Sequence, residues 1–260
     1  MIDLHSHILP QMDDGSADIR ETIEMLRESA RQGIDVIAAT PHFYAHRENP
    51  AQFLARRAKR MELLAEYAEE FVTQQSEMRF TEGMLSGQTE KEALVLPTIL
   101  PGAEVAYFNG MGGCSELLDM RIGQSNLLLV EMPFAHWSRR MVDEVCSLPG
   151  RLGIRPVLAH VNRYMDKSLF LKYQEQLEDA EVLLQCNAEV YLSFLHCGKA
   201  MNMLKKRQIH FLGSDCHNMG SRAPRLGKAV TKIEQRLGAG VLQELDVSGR
   251  RLLGIAPDGE

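Results

Sequence analysis

A chain of 260 residues can bury a substantial core, as one large α/β domain or as two small ones. Hydrophobic residues make up 45% and charged residues 25%, as in globular proteins, and a formal net charge of −6 argues against a general binder of nucleic acid or anionic membrane. No apolar run is long enough to be a transmembrane segment, no basic-then-apolar leader opens the chain, and five cysteines without framework spacing point to reduced thiols, so the expected localisation is cytoplasmic.

Ile2 and Leu4 alternate with Asp3 and His5, which predicts a short first strand before the Leu9-Pro10 break. Strand residues two apart share a face, so His5 and His7 project side by side, each able to offer a ring nitrogen to one cation. Ser16 predicts a helix start with Asp18 and Glu21 in the first turn; Ile19, Ile23, Leu26 and Ala30 hold one face and Gly33 stops the helix. Residues 34–40 form a nearly continuous apolar strand, the pattern of a strand covered on both faces, and end in Thr40-Pro41-His42. A second helix is predicted over 51–71. Residues 72–93 are polar without clear periodicity and fit a helix extension or a flexible insertion. Residues 98–107 are a third strand region containing Gly102-Ala103-Glu104, and 109–113 a glycine-rich loop.

A buried strand over 126–132 carries Glu131 at its end, and a helix follows over 138–148. Further on, strands are expected over 155–161 (carrying His160), 182–186 and 209–214, and helices over 169–180 and 194–206. The last strand runs into Asp215-Cys216-His217. From 224 onward the chain is mostly helical, with Gly238 and Gly240 as breaks and 238–260 as a helical tail. Strand and helix alternate about seven times without a linker, the pattern of a parallel barrel or a doubly wound sheet.

His5, His7, His42, Glu104, Glu131, His160, Asp215 and His217 all fall at predicted strand ends, where a (β/α) barrel would gather them at one mouth. Glu131 follows four apolar residues and Glu104 sits among Ala103, Val105 and Ala106; a carboxylate in such a place is costly unless cations or hydrogen bonds compensate it. Mixed His, Asp and Glu donors without cysteine suit Mn²⁺, Fe²⁺ or Zn²⁺, and several carboxylates can bridge ions. His46, His136, His196 and His210 are expected to be surface or structural, Trp137 fits the rim or the core equally, and the fourteen methionines are mostly helix-face core.

His5-Ser6-His7, Asp13-Asp14-Gly15, Ala39-Thr40-Pro41-His42, Pro101-Gly102-Ala103-Glu104, Ala159-His160-Val161-Asn162-Arg163-Tyr164 and Gly213-Ser214-Asp215-Cys216-His217-Asn218 together resemble the PHP (polymerase and histidinol phosphatase) superfamily. Within it the chain is most similar to the bacterial manganese-dependent tyrosine-protein phosphatases of capsule and exopolysaccharide operons. The resemblance spans roughly residues 1–230. It implies a single α/β domain over 1–260, a distorted (β/α)₇ TIM-like barrel of PHP type, and a cluster of two to three ions, Mn²⁺ before Fe²⁺ or Zn²⁺. By resemblance His5, His7, Glu104 and Asp215 hold one ion, Glu104 bridges to a second held by Glu131 and His160, and Asp14, His42 and His217 hold the third. The family often has Glu where Asn162 stands. Arg163 and Arg222 match its phosphate-binding positions, and a guanidinium fork suits phosphoryl oxygens.

The expected activity is therefore hydrolysis of phosphotyrosine by a metal-bound hydroxide, the protein partner being the tyrosine-rich tail of a bacterial tyrosine kinase. A phenolate leaving group has a pKa of about 10 and needs little protonation, so no general acid is assigned. Three alternatives stand beside this. Cys216 to Arg222 spells C-x₅-R, the pattern of thiolate phosphatases, but Asp215 beside the cysteine opposes a thiolate. A small-molecule phosphoesterase such as histidinol phosphatase shares much of the donor set, and a metal-binding regulatory module would need no turnover. A polymerase-associated exonuclease is disfavoured because the chain is short, acidic and lacks a basic track.

Overall fold

The computed structural model describes residues 1–86, 94–134 and 136–255. Its elements in chain order are β1 (Ile2–Ser6), α1 (Ile19–Arg31), β2 (Val36–Ala39), β3 (His42–Phe43), α2 (Pro50–Ser86), β4 (Thr98–Pro101), β5 (Glu104–Ala106), β6 (Leu127–Glu131), α3 (Arg139–Cys146), α4 (Leu148–Leu152), β7 (Arg155–Leu158), α5 (Ser168–Asp179), β8 (Leu183–Asn187), α6 (Ala188–Leu192), α7 (Cys197–Lys205), β9 (Phe211–Gly213), α8 (Leu226–Leu237) and α9 (Ala239–Leu253). All strand pairs are parallel, in two sheets of order β1-β2-β4 and β3-β5-β6-β7-β8-β9.

The sheets are continuous in space. Thr40-Pro41 interrupts one run into β2 and β3, because proline has no N–H for the ladder. Gly102-Ala103 likewise separates β4 from β5; there Gly102 donates its N–H to Ala39 O, and a Cβ on it would meet Thr40 Cγ2 and Ile122 Cγ1 at 3.2 Å. Past β9 the chain returns to β1: Ser6 pairs with Cys216, Asp215 N–H donates to His5 O and His7 N–H to Cys216 O. The parallel sheet therefore curls.

Alternation along the strands sorts two apolar layers. Leu4, Val36, Leu129, Val157, Leu183 and Phe211 pack together on the concave side, joined by Leu253 of α9. Their neighbours Ile37, Leu128, Val130, Leu158, Leu184 and Leu212 face the helices. Each such side chain, buried fully, contributes about 1.5–3 kcal/mol.

Several sequence expectations need correction. α1 begins at Ile19, not near Ser16: the Asp18 carboxylate accepts the N–H groups of Arg20 and Glu21 and so takes the cap. α2 runs on to Ser86, so 72–86 extend a helix; residues 87–93 of that stretch, and 256–260 of the tail, lie outside the described residues. The glycine-rich 109–113 stretch holds a tight turn at Met111–Gly113, and the 138–148 helix is split at Ser147 into α3 and α4. β7 stops at Leu158, leaving His160 beyond it. α6 precedes α7, which starts only at Cys197; Gly238 is a break, with φ +83, whereas Gly240 lies inside α9. Among the described residues no helix is long and apolar enough to cross a membrane.

Candidate metal centre

Strict alternation would set His5 and His7 on the face opposite Ile2 and Leu4. The register against β2 shows how both pairs turn inward: Ile2 pairs with Val36 and Asp3 with Ile37, but Ser6 pairs with Ala39, so β1 carries one residue more than its partner. Such a bulge re-aims the side chains past it. The Asp13-Asp14-Gly15 turn then folds back onto His7, where a Cβ on Gly15 would lie 2.2 Å from His7 O; only glycine allows that approach. His160 and Asp215, just past β7 and β9, turn inward through left-handed backbone, φ +54 and +53.

Nine side chains meet at this end of the sheet: His5, His7, Asp14, His42, Glu104, Glu131, His160, Asp215 and His217. The Glu104 carboxylate, fully buried, lies at the middle. Its Oε2 is 3.2 Å from His5 Nε2, 3.4 Å from His7 Nε2 and 2.9 Å from His42 Nδ1, and its Oε1 is 2.7 Å from His160 Nε2. Four overlapping groups form there. His5, His7 and Asp215 stand together; His5 and His160 stand with Glu104; Glu131 stands with Glu104 and His42; and His7, Asp14, His42 and His217 form the last, with His217 Nε2 and His42 Nε2 3.5 and 3.6 Å from Asp14 Oδ1. His5, His7, His42 and Glu104 thus each belong to two groups, which the pattern of strand ends did not foretell.

Burial alone would raise the Glu104 carboxyl, but the His5 and His160 imidazoles beside it hold it well below the usual range. Burial and the neighbouring Glu104 charge push Glu131 up. Asp215, although desolvated, is held at about 2 by His5, His160 and His7. Burial and the charge of His7 lower His217 to about 4. Glu104 Oε1 and Oε2, His42 Nδ1 and His217 Nε2 are buried without a hydrogen bond although each lies within 4 Å of another of these donors. Buried polar atoms nearly always have a partner, so oxygen and imidazole donors aimed at common points fit divalent cations.

Two arginines reach the same mouth. Arg222 donates to Asp215 Oδ1 at 2.9 Å and lies 3.5 Å from Asp14 Oδ2; Arg163 lies 3.6 Å from Asp215 Oδ2 and 3.7 Å from Glu131 Oε1, its guanidinium over the Phe134 ring at 4.8 Å. The fork of Arg222 turns to Asp215 rather than to Cys216, whose thiol is fully buried and pushed far up by burial and by Asp3. That removes the thiolate route read from C-x₅-R.

Sequence reasoning missed the residues that brace the donors. Asp13 accepts a hydrogen bond from His7 Nδ1 at 2.7 Å and another from His42 N–H at 2.8 Å, pulling the His7 imidazole up to about 10 against its burial. Gln185 and Asn187 lie among the donors with no polarity pattern to announce them, and Asn162 accepts the N–H of Asn187 at 2.9 Å. His46, His136 and His196 are exposed, His210 hydrogen-bonds the backbone of β8, and Trp137 is buried against Tyr164 and Phe170.

A family model described as capsular polysaccharide synthesis, CpsB/CapC, matches residues 1–96 and 73–251. The tyrosine-protein phosphatase YwqE of Bacillus subtilis is 28% identical over 249 residues, which cover 92% of this chain and 86% of that protein. The tyrosine-protein phosphatase CpsB of Streptococcus pneumoniae is 29% identical over 262 residues, 96% of this chain and 97% of that one. A solved structure from work on these two proteins, described there as unique metal-dependent tyrosine phosphatases, superposes with a TM-score of 0.71 at 24% identity, over 98% of this chain and 96% of its own, a likeness of fold.

Proposed function

The chain belongs to the CpsB/CapC capsular polysaccharide synthesis family, and from that premise we propose that it is a metal-dependent phosphomonoester hydrolase acting on phosphotyrosine in proteins. The observation that carries this is the convergence of nine histidine and carboxylate side chains around the buried Glu104, itself one of them, with Arg163 and Arg222 against Asp215 at the same mouth. The relatives named as tyrosine-protein phosphatases support the choice of phosphotyrosine. The protein partner is then a phosphotyrosine protein such as the tyrosine-rich tail of a bacterial kinase, and the setting the cytoplasm.

His5, His7 and Asp215 would hold one ion with Glu104, which also serves a second with Glu131 and His160, while Asp14, His42 and His217 would hold a third; hard oxygen and imidazole donors favour Mn²⁺, with Fe²⁺ or Zn²⁺ as alternatives. Bound there, the cations supply charge that offsets a phosphomonoester dianion and lower the pKa of water to roughly 7. Arg163 and Arg222 are placed to take phosphoryl oxygens through their forks. Phe134, 48% exposed at the mouth beside Arg163, offers an aryl ester a ring to pack on, and favours phosphotyrosine over an alkyl phosphate. We read the fold as a distorted (β/α)₇ barrel of PHP type in a single domain over 1–260; the all-parallel order, with β2–β3 and β4–β5 each counted as one interrupted strand, and the pairing of Ser6 with Cys216 support that reading.

Stripping the protein with a chelator should abolish hydrolysis of a phosphotyrosine peptide and of p-nitrophenyl phosphate, and Mn²⁺ should restore both. Histidinol phosphate should be turned over far more slowly; if it is the faster substrate, the small-molecule assignment replaces this one. Stoichiometric metal binding with no turnover of any of the three would leave a regulatory module.

A further inference from the structure

β8 contributes none of the nine donors, yet two of its side chains stand among them. Gln185 and Asn187 are 0% and 1% exposed and share the face of β8 that carries Leu183 into the concave core. The His160 backbone N–H donates to Gln185 Oε1 at 2.9 Å, which fixes that atom as the oxygen. Gln185 Nε2 therefore donates to Asn187 Oδ1 at 3.1 Å, and Asn187 Nδ2 to Asp215 Oδ2 at 2.9 Å. Each amide oxygen also meets an imidazole: His5 Nδ1 at 3.3 Å from Gln185 and His160 Nδ1 at 3.0 Å from Asn187. Because these oxygens only accept, both rings carry a proton on Nδ1, and both Nε2 atoms are turned to Glu104.

Two further observations bear on the same pair. His160 and Asp215 are the candidate donors with positive φ, a conformation that costs a residue with a side chain about 1–3 kcal/mol and persists only where its surroundings over-determine it. Both are hydrogen-bonded to Asn187. On the next strand a Cβ at Gly213 would lie 2.6 Å from Gln185 Nε2 and from His5 Cβ, so β9 has no side chain where Gln185 passes.

We propose that Gln185 and Asn187 are positioning residues: one amide pair on β8 sets the tautomers of His5 and His160 and holds Asp215, so that donors from three other places in the chain present Nε2, Nε2 and Oδ1 to the two neighbouring cations around Glu104. This rests on the metal-centre assignment above but not on the identity of the substrate.

The full-length protein, stripped of metal and titrated with Mn²⁺, tests it by direct binding. Gln185→Leu and Asn187→Ser should each weaken Mn²⁺ binding about 10- to 100-fold. A folded variant that binds within twofold of the parent overturns the proposal, and Asn187→Ser, which stays polar, decides the matter if Gln185→Leu does not fold. Histidine nitrogen NMR of the unaltered protein loaded with diamagnetic Zn²⁺ gives a second readout: protons on Nδ1 of both His5 and His160 are expected, and a proton on Nε2 of either one overturns it. If the parent hydrolyses no phosphoester while both readouts come out as expected, the phosphatase assignment fails and the positioning role stands.

Discussion

At the scale of single residues, a carboxylate inside an apolar strand was the most informative feature of this chain. Glu104 lies between Ala103 and Val105, and its cost is met by His5, His7, His42 and His160, which crowd both oxygens. Cys216 shows the reverse: a motif that looks reactive in one dimension is a fully buried thiol raised by its desolvation. Cys216→Ser should therefore keep metal-restored activity on p-nitrophenyl phosphate within about threefold, whereas a loss of several hundredfold would reinstate the thiolate route. Phe134→Ala should lower kcat/KM for phosphotyrosine about 3- to 10-fold, the worth of one aromatic pair, and leave phosphoserine unchanged. An equal fall for both substrates would deny Phe134 any part in recognising the aryl group.

At the scale of elements, strand ends were legible because apolar runs stop where donors begin, but the turns that aim those donors were not. The extra residue in β1 is visible only against β2, and nothing in Ala159-His160-Val161 announces a left-handed residue. α6 was missed because five residues are too few for a helical period to emerge. The β8–β9 seam carries a titration of its own. His210 N–H donates to Leu184 O, and its Nδ1 accepts the Leu184 N–H at 3.1 Å, so the ring must be neutral. Burial, then the charge of Arg155, lowers it to about 4. Unfolded, the same ring takes its proton near 6.5, so this stabilisation is complete above pH 6.5 and is lost as pH falls towards 4, by at most about 3 kcal/mol. Urea unfolding of the metal-stripped protein at pH 7 and pH 4.5 should show His210→Gln losing less stability over that interval than the parent. Identical losses would mean that this ring is not the titrating group.

At the scale of the whole molecule, α9 packs back against the amino-terminal strand. Arg250 of α9, 5% exposed, donates to Asp246 Oδ2 at 2.9 Å and pairs with Asp35, which the amino terminus also meets, while Gly249 of α9 passes close to Ile2 and Phe211. Arg250→Ala should cost about 2–3 kcal/mol in urea unfolding, less than breaking a fully buried pair because Asp35 is 37% exposed, with Mn²⁺ affinity unchanged. A cost below about 0.5 kcal/mol would show that the terminal helix is held by apolar contact alone. What the sequence by itself determined is eight of the nine side chains that gather there and their place at the ends of parallel strands, since residue type and period are local properties; Asp14, in the turn after β1, was legible only through the family resemblance. Which of these side chains stand within reach of one another, and which buried amides lie against them, was decided only by the tertiary structure, because distances across strands depend on one bulge, two left-handed residues and the closure of β9 onto β1.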